Sequence, residues 1–139
     1  MKIFLYYIGK AKSQETNSLA AGYVARIRHY ARCEMREVDP RKFHPLEKHP
    51  SAVHVPVDPG GKALDSAQFA VWMAAREREA RDIVFLVGGA DGLPEEWKGA
   101  PAFFLSLSAM TFPHELARAM LAEQIYRAFT ILRGHPYPR

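Results

Sequence analysis

Three short segments of the sequence have the composition of ligand-binding loops, and each one follows an apolar stretch. They are residues 58–62 (DPGGK), 88–92 (GGADG) and 108–113 (SAMTFP). Glycine lets a ligand approach the main chain closely, and small polar groups bind ligands without charged side chains. Because ligands of open α/β sheets bind beyond the carboxyl ends of the strands, the three segments are candidates for one binding site. A simple tight turn explains residues 88–92 equally well.

Few side chains near these segments suit acid–base chemistry. The nearest acidic residues are Asp58, Asp91, Glu115 and Glu123, and each has an ordinary role as a turn former, a helix-dipole partner or a member of an ion pair. The spacing of residues 88–92 matches neither the dinucleotide fingerprint nor the P-loop. No nucleophile elbow or zinc signature is present in the sequence. Hydrolytic and redox chemistry therefore have no support.

The histidines and the cysteine of the first half do not predict a metal site. His44, His49 and His54 recur every five residues, which matches neither one face of a helix nor the usual spacing of metal ligands. We therefore predict that they are surface histidines and that the protein binds no metal. Cys33 is the single cysteine, and we predict that it fills space in the core.

Length and composition indicate one globular domain spanning residues 1–139, with 48% hydrophobic and 24% charged residues. No apolar run approaches the roughly 20 residues of a membrane-spanning helix, and the N-terminus lacks the pattern of a signal peptide. We therefore expect a cytoplasmic protein without a membrane partner. The net charge of +4 favours a polyanionic partner weakly. Arg26, Arg28 and Arg32 suit a solvated helix face as well as an RNA-binding one.

Strand and helix patterns alternate along the chain and predict the elements that carry the three loops. Apolar runs typical of strands cover residues 3–8, 34–38, 52–57, 83–87 and 103–107. Helical spacing or helix-start residues mark residues 18–31, 65–81, 94–98 and 111–133. Residues 41–51 have no periodicity and are predicted to form a loop. This alternation predicts an α/β fold with a mostly parallel sheet flanked by helices.

Polar residues near the helix ends predict specific local contacts. Asp65 is expected to cap a helix together with Gln68, which lies three residues later. Thr111 is a plausible N-cap for the last helix. Ion pairs at the i,i+4 spacing are expected between Glu77 and Arg81 and between Glu123 and Arg127.

The last helix is apolar on more than one side, which predicts burial on more than one side. One stripe consists of Ala117, Leu121, Ile125, Ala128 and Leu132. The second consists of Leu116, Met120 and Ile131. Either a partner subunit or the interior of the same chain can cover the second stripe.

Three longer stretches of the sequence are residues 85–93 (FLVGGADGL), 105–114 (LSLSAMTFPH) and 123–137 (EQIYRAFTILRGHPY). Together they resemble the bacterial ribosomal RNA large subunit methyltransferase H family, which belongs to the SPOUT methyltransferases. Upstream, residues 57–62 and 66–70 resemble the family's Asp-x-x-Gly-Lys segment and the helix after it. One departure lies in the tail, where Pro138 stands in place of the family's second histidine.

The resemblance implies a fold and an activity that periodicity alone does not show. The implied fold has a deep trefoil knot at its C-terminus and forms a homodimer. The implied cofactor is S-adenosylmethionine, and the implied reaction is methylation of N3 of a pseudouridine in the 23S ribosomal RNA of the assembled ribosome. The alternatives are a SPOUT methyltransferase of another RNA, such as transfer RNA, and a non-catalytic dimer that binds RNA or the ribosome.

The resemblance also implies roles for individual residues. Cofactor contacts are implied at Val57, Gly89, Ser108, Ala109, Met110, Thr111, Phe112 and Pro113. In the last helix and the tail, we expect catalytic roles for His135, Tyr137 and Arg127, with His135 or Tyr137 near the nitrogen that loses its proton. Arg133 and Arg139 are expected to contact RNA.

Overall fold

The computed structural model describes residues 1–137, and its central feature is a five-stranded sheet. The strands are Lys2–Tyr7 (β1), Arg32–Glu37 (β2), Val53–Ala63 (β3), Ile83–Val87 (β4) and Leu105–Ser106 (β5). The helices are Gln14–Ile27 (α1), Pro45–Lys48 (α2), Ser66–Arg78 (α3) and His114–Arg133 (α4), and a 3-10 helix spans Glu95–Lys98. The strand order is β2-β1-β4-β3-β5, and every pairing of these strands is parallel. The predicted α/β fold with a parallel sheet is confirmed.

The sheet carries different layers on its two faces. On one face, α1, α3 and α4 bury a large apolar core with the sheet, which includes Leu5, Phe85 and Phe129. On the other face, the chain after β2 and the 3-10 helix form a smaller core around Trp97. Strand β4 contributes to both cores, and all of its residues are buried, as expected for a central parallel strand.

The ends of two strands differ from the prediction. Strand β3 continues through the predicted turn at residues 58–62, and both Val57 and Lys62 pair with Leu105 of β5. The residues between them therefore bulge out of the ladder, since two positions of one strand oppose a single residue of the other. Strand β5 is shorter than predicted, and the predicted loop at residues 41–51 contains the short helix α2.

Helix starts and ion pairs agree only in part with the local pattern. The capping box of Asp65 and Gln68 is present, as predicted. The predicted N-cap at Thr111 is wrong, because α4 begins at His114, directly after Pro113. Proline disfavours helical geometry at the residue before it, here Phe112, so the helix does not start directly after Thr111.

The ion pair of Glu123 and Arg127 is confirmed at 2.6 Å. The predicted pair of Glu77 and Arg81 is wrong: Glu77 pairs with Arg133 at 2.6 Å, and Arg81 donates to the carbonyl oxygen of Ser51. Arg81 lies beyond the end of α3, so the i,i+4 geometry does not apply to it.

Cys33 is buried, as predicted. The prediction of surface histidines is wrong for His54, which is buried with its ring nitrogens near the carbonyl oxygens of Ala52 and Pro45. His44 pairs with Glu96, and His49 hydrogen-bonds to the Tyr6 hydroxyl.

Two general properties follow from the described part of the chain. Among residues 1–137, no three His, Cys, Asp or Glu side chains form a group that could hold a metal ion. No helix in that range is both long enough and apolar enough to cross a membrane. The trefoil knot and the single-domain boundaries stay predictions, because strand order and pairing do not define how a chain threads.

We predict that Gly88→Ala destabilises the fold. The added Cβ would lie 2.6 Å from the main-chain carbon of Gly92, a contact that the turn can relieve only by moving its backbone. We expect a loss of about 1–3 kcal/mol in the free energy of unfolding, measured by urea denaturation. The control is Gly22→Ala in α1, where nothing lies within 4 Å of the added atom. There alanine should stabilise by about 0.5–1 kcal/mol, and equal effects at both positions would refute the close packing of the turn.

Candidate active site

A cavity of about 260 Å³ lies at the carboxyl edge of the sheet, and all three predicted loops contribute to its wall. We call it the loop cavity. Of the residues expected to contact a cofactor, those that line it are Val57, Gly89, Ser108, Met110, Thr111 and Phe112. Ala109 and Pro113 are among the described residues but do not line it. The structure thus brings together most of the predicted set around one space.

The wall of the loop cavity is mainly apolar, with main-chain groups and few charges. Val57, Leu107 and Phe112 supply apolar surface. Asp58 is the lining residue with a carboxylate, and its Oδ1 accepts a hydrogen bond from the main-chain nitrogen of Gly60 at 2.8 Å. Such a cavity suits a small ligand with a flat apolar part and polar edges.

The glycine turn at residues 88–92 is closed by its own main chain. The nitrogen of Gly92 donates to the carbonyl oxygen of Gly89 at 3.0 Å. Gly92 has φ +78°, a conformation that residues with side chains rarely adopt. Gly88 packs directly against Gly92. The turn therefore presents a thin backbone wall to the cavity.

Ser106 holds two of the loops together, and no motif in the sequence predicts this role. Its buried hydroxyl lies 3.1 Å from the carbonyl oxygen of Pro59 and 3.0 Å from that of Ser108. Within the next loop, the main-chain nitrogen of Met110 donates to Ser108 Oγ at 3.0 Å. Ser106 therefore positions the bulge of β3 against residues 108–113 without lining the loop cavity itself.

The predicted catalytic residues lie at the other end of α4. The helix ends at Gly134, which has φ +68°, and the chain then folds back so that Thr130 Oγ1 lies 3.1 Å from the carbonyl oxygen of Tyr137. The Tyr137 hydroxyl donates to Glu123 at 2.8 Å, and Arg127 donates to the same carboxylate. His135 is exposed, with its ring nitrogen 3.3 Å from the main-chain nitrogen of Tyr137.

The surroundings of Tyr137 keep its hydroxyl protonated. Burial raises the pKa of Tyr137 well above its ordinary value of 10.0, and the hydrogen bonds with Tyr23 and Glu123 add to this shift. A phenol with a raised pKa is a hydrogen-bond donor at neutral pH. In this arrangement Tyr137 is not suited to accept a proton, although it can orient Glu123.

The tail and the loop cavity contact different parts of α4. His114 and Ala117 line the loop cavity at the start of α4, whereas Arg127 lies 13 residues after His114, or about 20 Å along the helix axis. None of His135, Tyr137 and Arg127 lines the loop cavity, and the Tyr137 hydroxyl reaches back only to Glu123, which is six residues, or about 9 Å along the axis, from Ala117. Of the residues expected to bind RNA, Arg133 is paired with Glu77, and Arg139 lies outside the described residues.

A groove of about 450 Å³ runs along α4 between these two regions. Leu107 lines both the groove and the loop cavity, and Tyr23 and Glu123 line the groove near the tail. Two apolar side chains of the groove are unusually exposed: Leu19 at 51% and Leu116 at 39%. The second apolar stripe of α4 is thus only partly covered by the chain itself.

Comparison with known proteins agrees with this architecture. Residues 1–138 match a family described as predicted SPOUT methyltransferase. The ribosomal RNA large subunit methyltransferase H of Solibacter usitatus is 55% identical over 139 residues, which is 100% of both chains. That of Sorangium cellulosum is 40% identical over 143 residues, covering 99% of each chain.

Two solved structures share the fold at low sequence identity. A probable methylase family protein from Haemophilus influenzae superposes with a TM-score of 0.65 at 12% identity, covering 99% of this chain and 70% of that one. The SpoU methyltransferase AviRb from Streptomyces viridochromogenes, solved in complex with the cofactor AdoMet, gives a TM-score of 0.55 at 13% identity. The match covers 91% of this chain and 57% of AviRb.

The parallel sheet and its loop-lined edge are those of the SPOUT class of methyltransferases. Within that class, the chain belongs to the ribosomal RNA large subunit methyltransferase H family. The family predicted from residues 85–93, 105–114 and 123–137 is confirmed, and the similarity extends over the whole chain.

We predict that Glu123→Gln lowers the pKa of Tyr137 toward its ordinary value of 10.0, because the substitution removes a negative charge that disfavours the phenolate. The measurement is the absorbance of tyrosinate as pH rises, with Tyr137→Phe assigning the transition. Because the pKa is raised in the folded state, its contribution to stability is complete below pH 10 and is lost as pH rises through the folded value. In Glu123→Gln, the pH range over which this stability is lost should be narrower than in the wild type. An unchanged tyrosinate titration would contradict the contact between Glu123 and Tyr137.

Proposed function

We propose that this protein transfers a methyl group from S-adenosylmethionine to N3 of a pseudouridine in the 23S ribosomal RNA of the assembled ribosome. The observation that carries the proposal is the convergence of residues 88–92 and 108–113, together with Val57, on one cavity. The names of the two full-length relatives support large-subunit ribosomal RNA as the substrate. A ribosomal substrate implies that the protein acts in the cytoplasm.

The loop cavity fits the chemical character of S-adenosylmethionine, which agrees with the AdoMet complex of AviRb. Its volume of about 260 Å³ is slightly below the range of about 300–1,000 Å³ that small-molecule sites span. Val57, Leu107 and Phe112 would pack on the adenine, and main-chain groups of the loops would hydrogen-bond to its edges. Asp58 supplies a negative charge for the positive sulfonium.

The cofactor supplies a methyl group on a sulfonium, so the protein has two tasks. It must align the acceptor nitrogen with the bond that breaks, and it must exclude water. The acceptor nitrogen also loses a proton. Since Tyr137 holds its own proton and Arg127 is paired with Glu123, His135 is the candidate proton acceptor in the described part of the tail.

We further propose that the active form is a homodimer in which the tail of one copy meets the loop cavity of the other. No tail residue lines the loop cavity of its own chain, and Tyr137 reaches back only to Glu123, about 9 Å along α4 from Ala117. A two-fold pairing along the groove would cover Leu19 and Leu116 and would place the two helices in opposite directions. The dimer would also double the basic surface that meets the ribosome.

The first test is methyl transfer from labelled S-adenosylmethionine to 70S ribosomes, with binding of the cofactor measured by calorimetry. We predict that Ala117→Leu raises the dissociation constant of the cofactor at least about tenfold, because the larger side chain occupies the loop cavity without changing its loops. Ala25→Leu, on the exposed side of α1, is the matched control and should bind normally.

Other outcomes of this test would replace the proposal. Label in transfer RNA but not in ribosomes would identify a different RNA substrate. Absence of cofactor binding by the wild-type protein would favour a non-catalytic RNA-binding dimer. Normal binding by Ala117→Leu would exclude the loop cavity as the cofactor site.

A mixing experiment tests the shared site. With S-adenosylmethionine held well below the raised dissociation constant of Ala117→Leu, that variant and the double variant His135→Ala, Tyr137→Phe should each have little activity alone. Random pairing of equal amounts makes about half of the dimers mixed, each with one intact site, so about one quarter of wild-type activity should return. If each site lay within one chain, the mixture would stay inactive. Full activity of the double variant would remove the tail from the catalytic machinery.

A further inference from the structure

A second cavity lies on the other side of the glycine turn. Its volume is about 380 Å³, and it is lined by residues that follow β1 and by residues that follow β4. We call it the lysine cavity, because Lys10 and Lys12 lie in its wall. The residues that line both cavities are Gly89, Ala90, Gly92, Leu93 and His114. The two spaces are therefore separated by a single layer of chain.

The position of the lysine cavity in the fold is one at which ligands bind. The chain after β1 enters α1 on one face of the sheet, whereas the chain after β4 runs to the 3-10 helix on the other face. The crevice between two such strands is a topological switch point. The loop cavity occupies the corresponding crevice between β4 and β3, so the two cavities flank the same strand.

The charges of the lysine cavity come from two loops. Lys10 and Lys12 are exposed on the chain between β1 and α1, and within residues 1–137 neither lysine forms an ion pair. Asp91 lies on the glycine turn. The two lysine ammonium groups can bind a phosphate, and the carboxylate of Asp91 on the other loop can accept a hydrogen bond from an N–H group of the ligand. A nucleotide of RNA carries both groups, whereas a free phosphate ion carries only the first.

The lysine-bearing loop is held in place by the first turn of α4. Glu115 accepts hydrogen bonds from the main-chain nitrogens of Ser13 at 3.2 Å and Lys12 at 2.5 Å, and these bonds lower the pKa of the carboxyl. Gly9 has φ +96° and packs close to the ring of His114. The backbone that carries both lysines is thus fixed relative to the wall that the two cavities share.

We propose that the lysine cavity receives the part of the RNA next to the target nucleotide, with Lys10 and Lys12 contacting its phosphates, while the target base reaches the methyl donor on the other side of the glycine turn. The inference rests on the proposed function, because methyl transfer requires the acceptor to reach the cofactor. The lysine cavity adjoins the loop cavity across the glycine turn, and it offers both the charge and the space for a nucleotide.

The test compares the double variant Lys10→Ala, Lys12→Ala with Lys2→Ala, Lys48→Ala. All four lysines are exposed, and both double variants remove the same charge. Binding of each protein to 70S ribosomes is measured against salt concentration, together with the KM for ribosomes and the dissociation constant of S-adenosylmethionine. For the Lys10 and Lys12 variant we expect a KM about tenfold higher and a salt slope smaller by about 1–2 than in the control. Its affinity for the cofactor should not change.

Other results overturn either this proposal or the function on which it rests. Equal KM values and salt slopes for the two double variants would show that the lysines do not contact RNA, while methyl transfer by the wild type would leave the proposed function intact. Weaker binding of S-adenosylmethionine with unchanged binding of 5′-methylthioadenosine would assign the lysine cavity to the amino-acid end of the cofactor. If the wild type binds ribosomes but transfers no methyl group, the proposed function fails, and the salt slopes still decide the role of the lysines.

Discussion

The rest of the structure depends on the burial of β4 and on the direction in which its chain leaves the sheet. All residues of Ile83–Val87 are buried, and the strand pairs with β1 on one side and β3 on the other. The chains after those two neighbours enter helices on one face, whereas the chain after β4 runs to the opposite face. This divergence opens a crevice on each side of the glycine turn. Gly88 and Gly92 pack so closely that the turn forms a thin wall between the two cavities and fills neither of them.

The length of α4 imposes the second constraint. The helix begins at the loop cavity and is 20 residues long, which separates its ends by about 30 Å. A helix packed along most of its length cannot bend enough to bring those ends together. In the proposed dimer, the cofactor site at one end of this helix would meet the tail of the second copy. The exposed Leu19 and Leu116 lie along the groove between the ends, where a second copy would remove apolar surface from water.

The sheet and the loops at its edge could be predicted because both follow from local composition. An apolar run such as residues 83–87 is long enough for a strand and too short for a helix, and strands that alternate with helices pair in parallel. Contacts between distant segments could not be predicted in this way. Ser106 reads as an ordinary strand residue, and its hydroxyl acquires a role only when Pro59 and Ser108 lie within 3.1 Å of it. The local rule for Glu77 failed for the same reason, since its partner comes from α4.

The tail shows how one carboxylate limits the chemistry of its neighbours. Glu123 accepts hydrogen bonds from Arg127 at 2.6 Å and from Tyr137 at 2.8 Å, so it neutralises the first and holds the second in its protonated form. Glu123 also lines the groove, and covering the groove with a second copy would exclude water and strengthen both bonds. Arg127 and Tyr137 would then be more firmly fixed in their present roles, which are to shape the end of the chain. His135 is exposed and has no such carboxylate contact among the described residues. In the proposed reaction it is therefore better placed than Arg127 or Tyr137 to take a proton from the substrate.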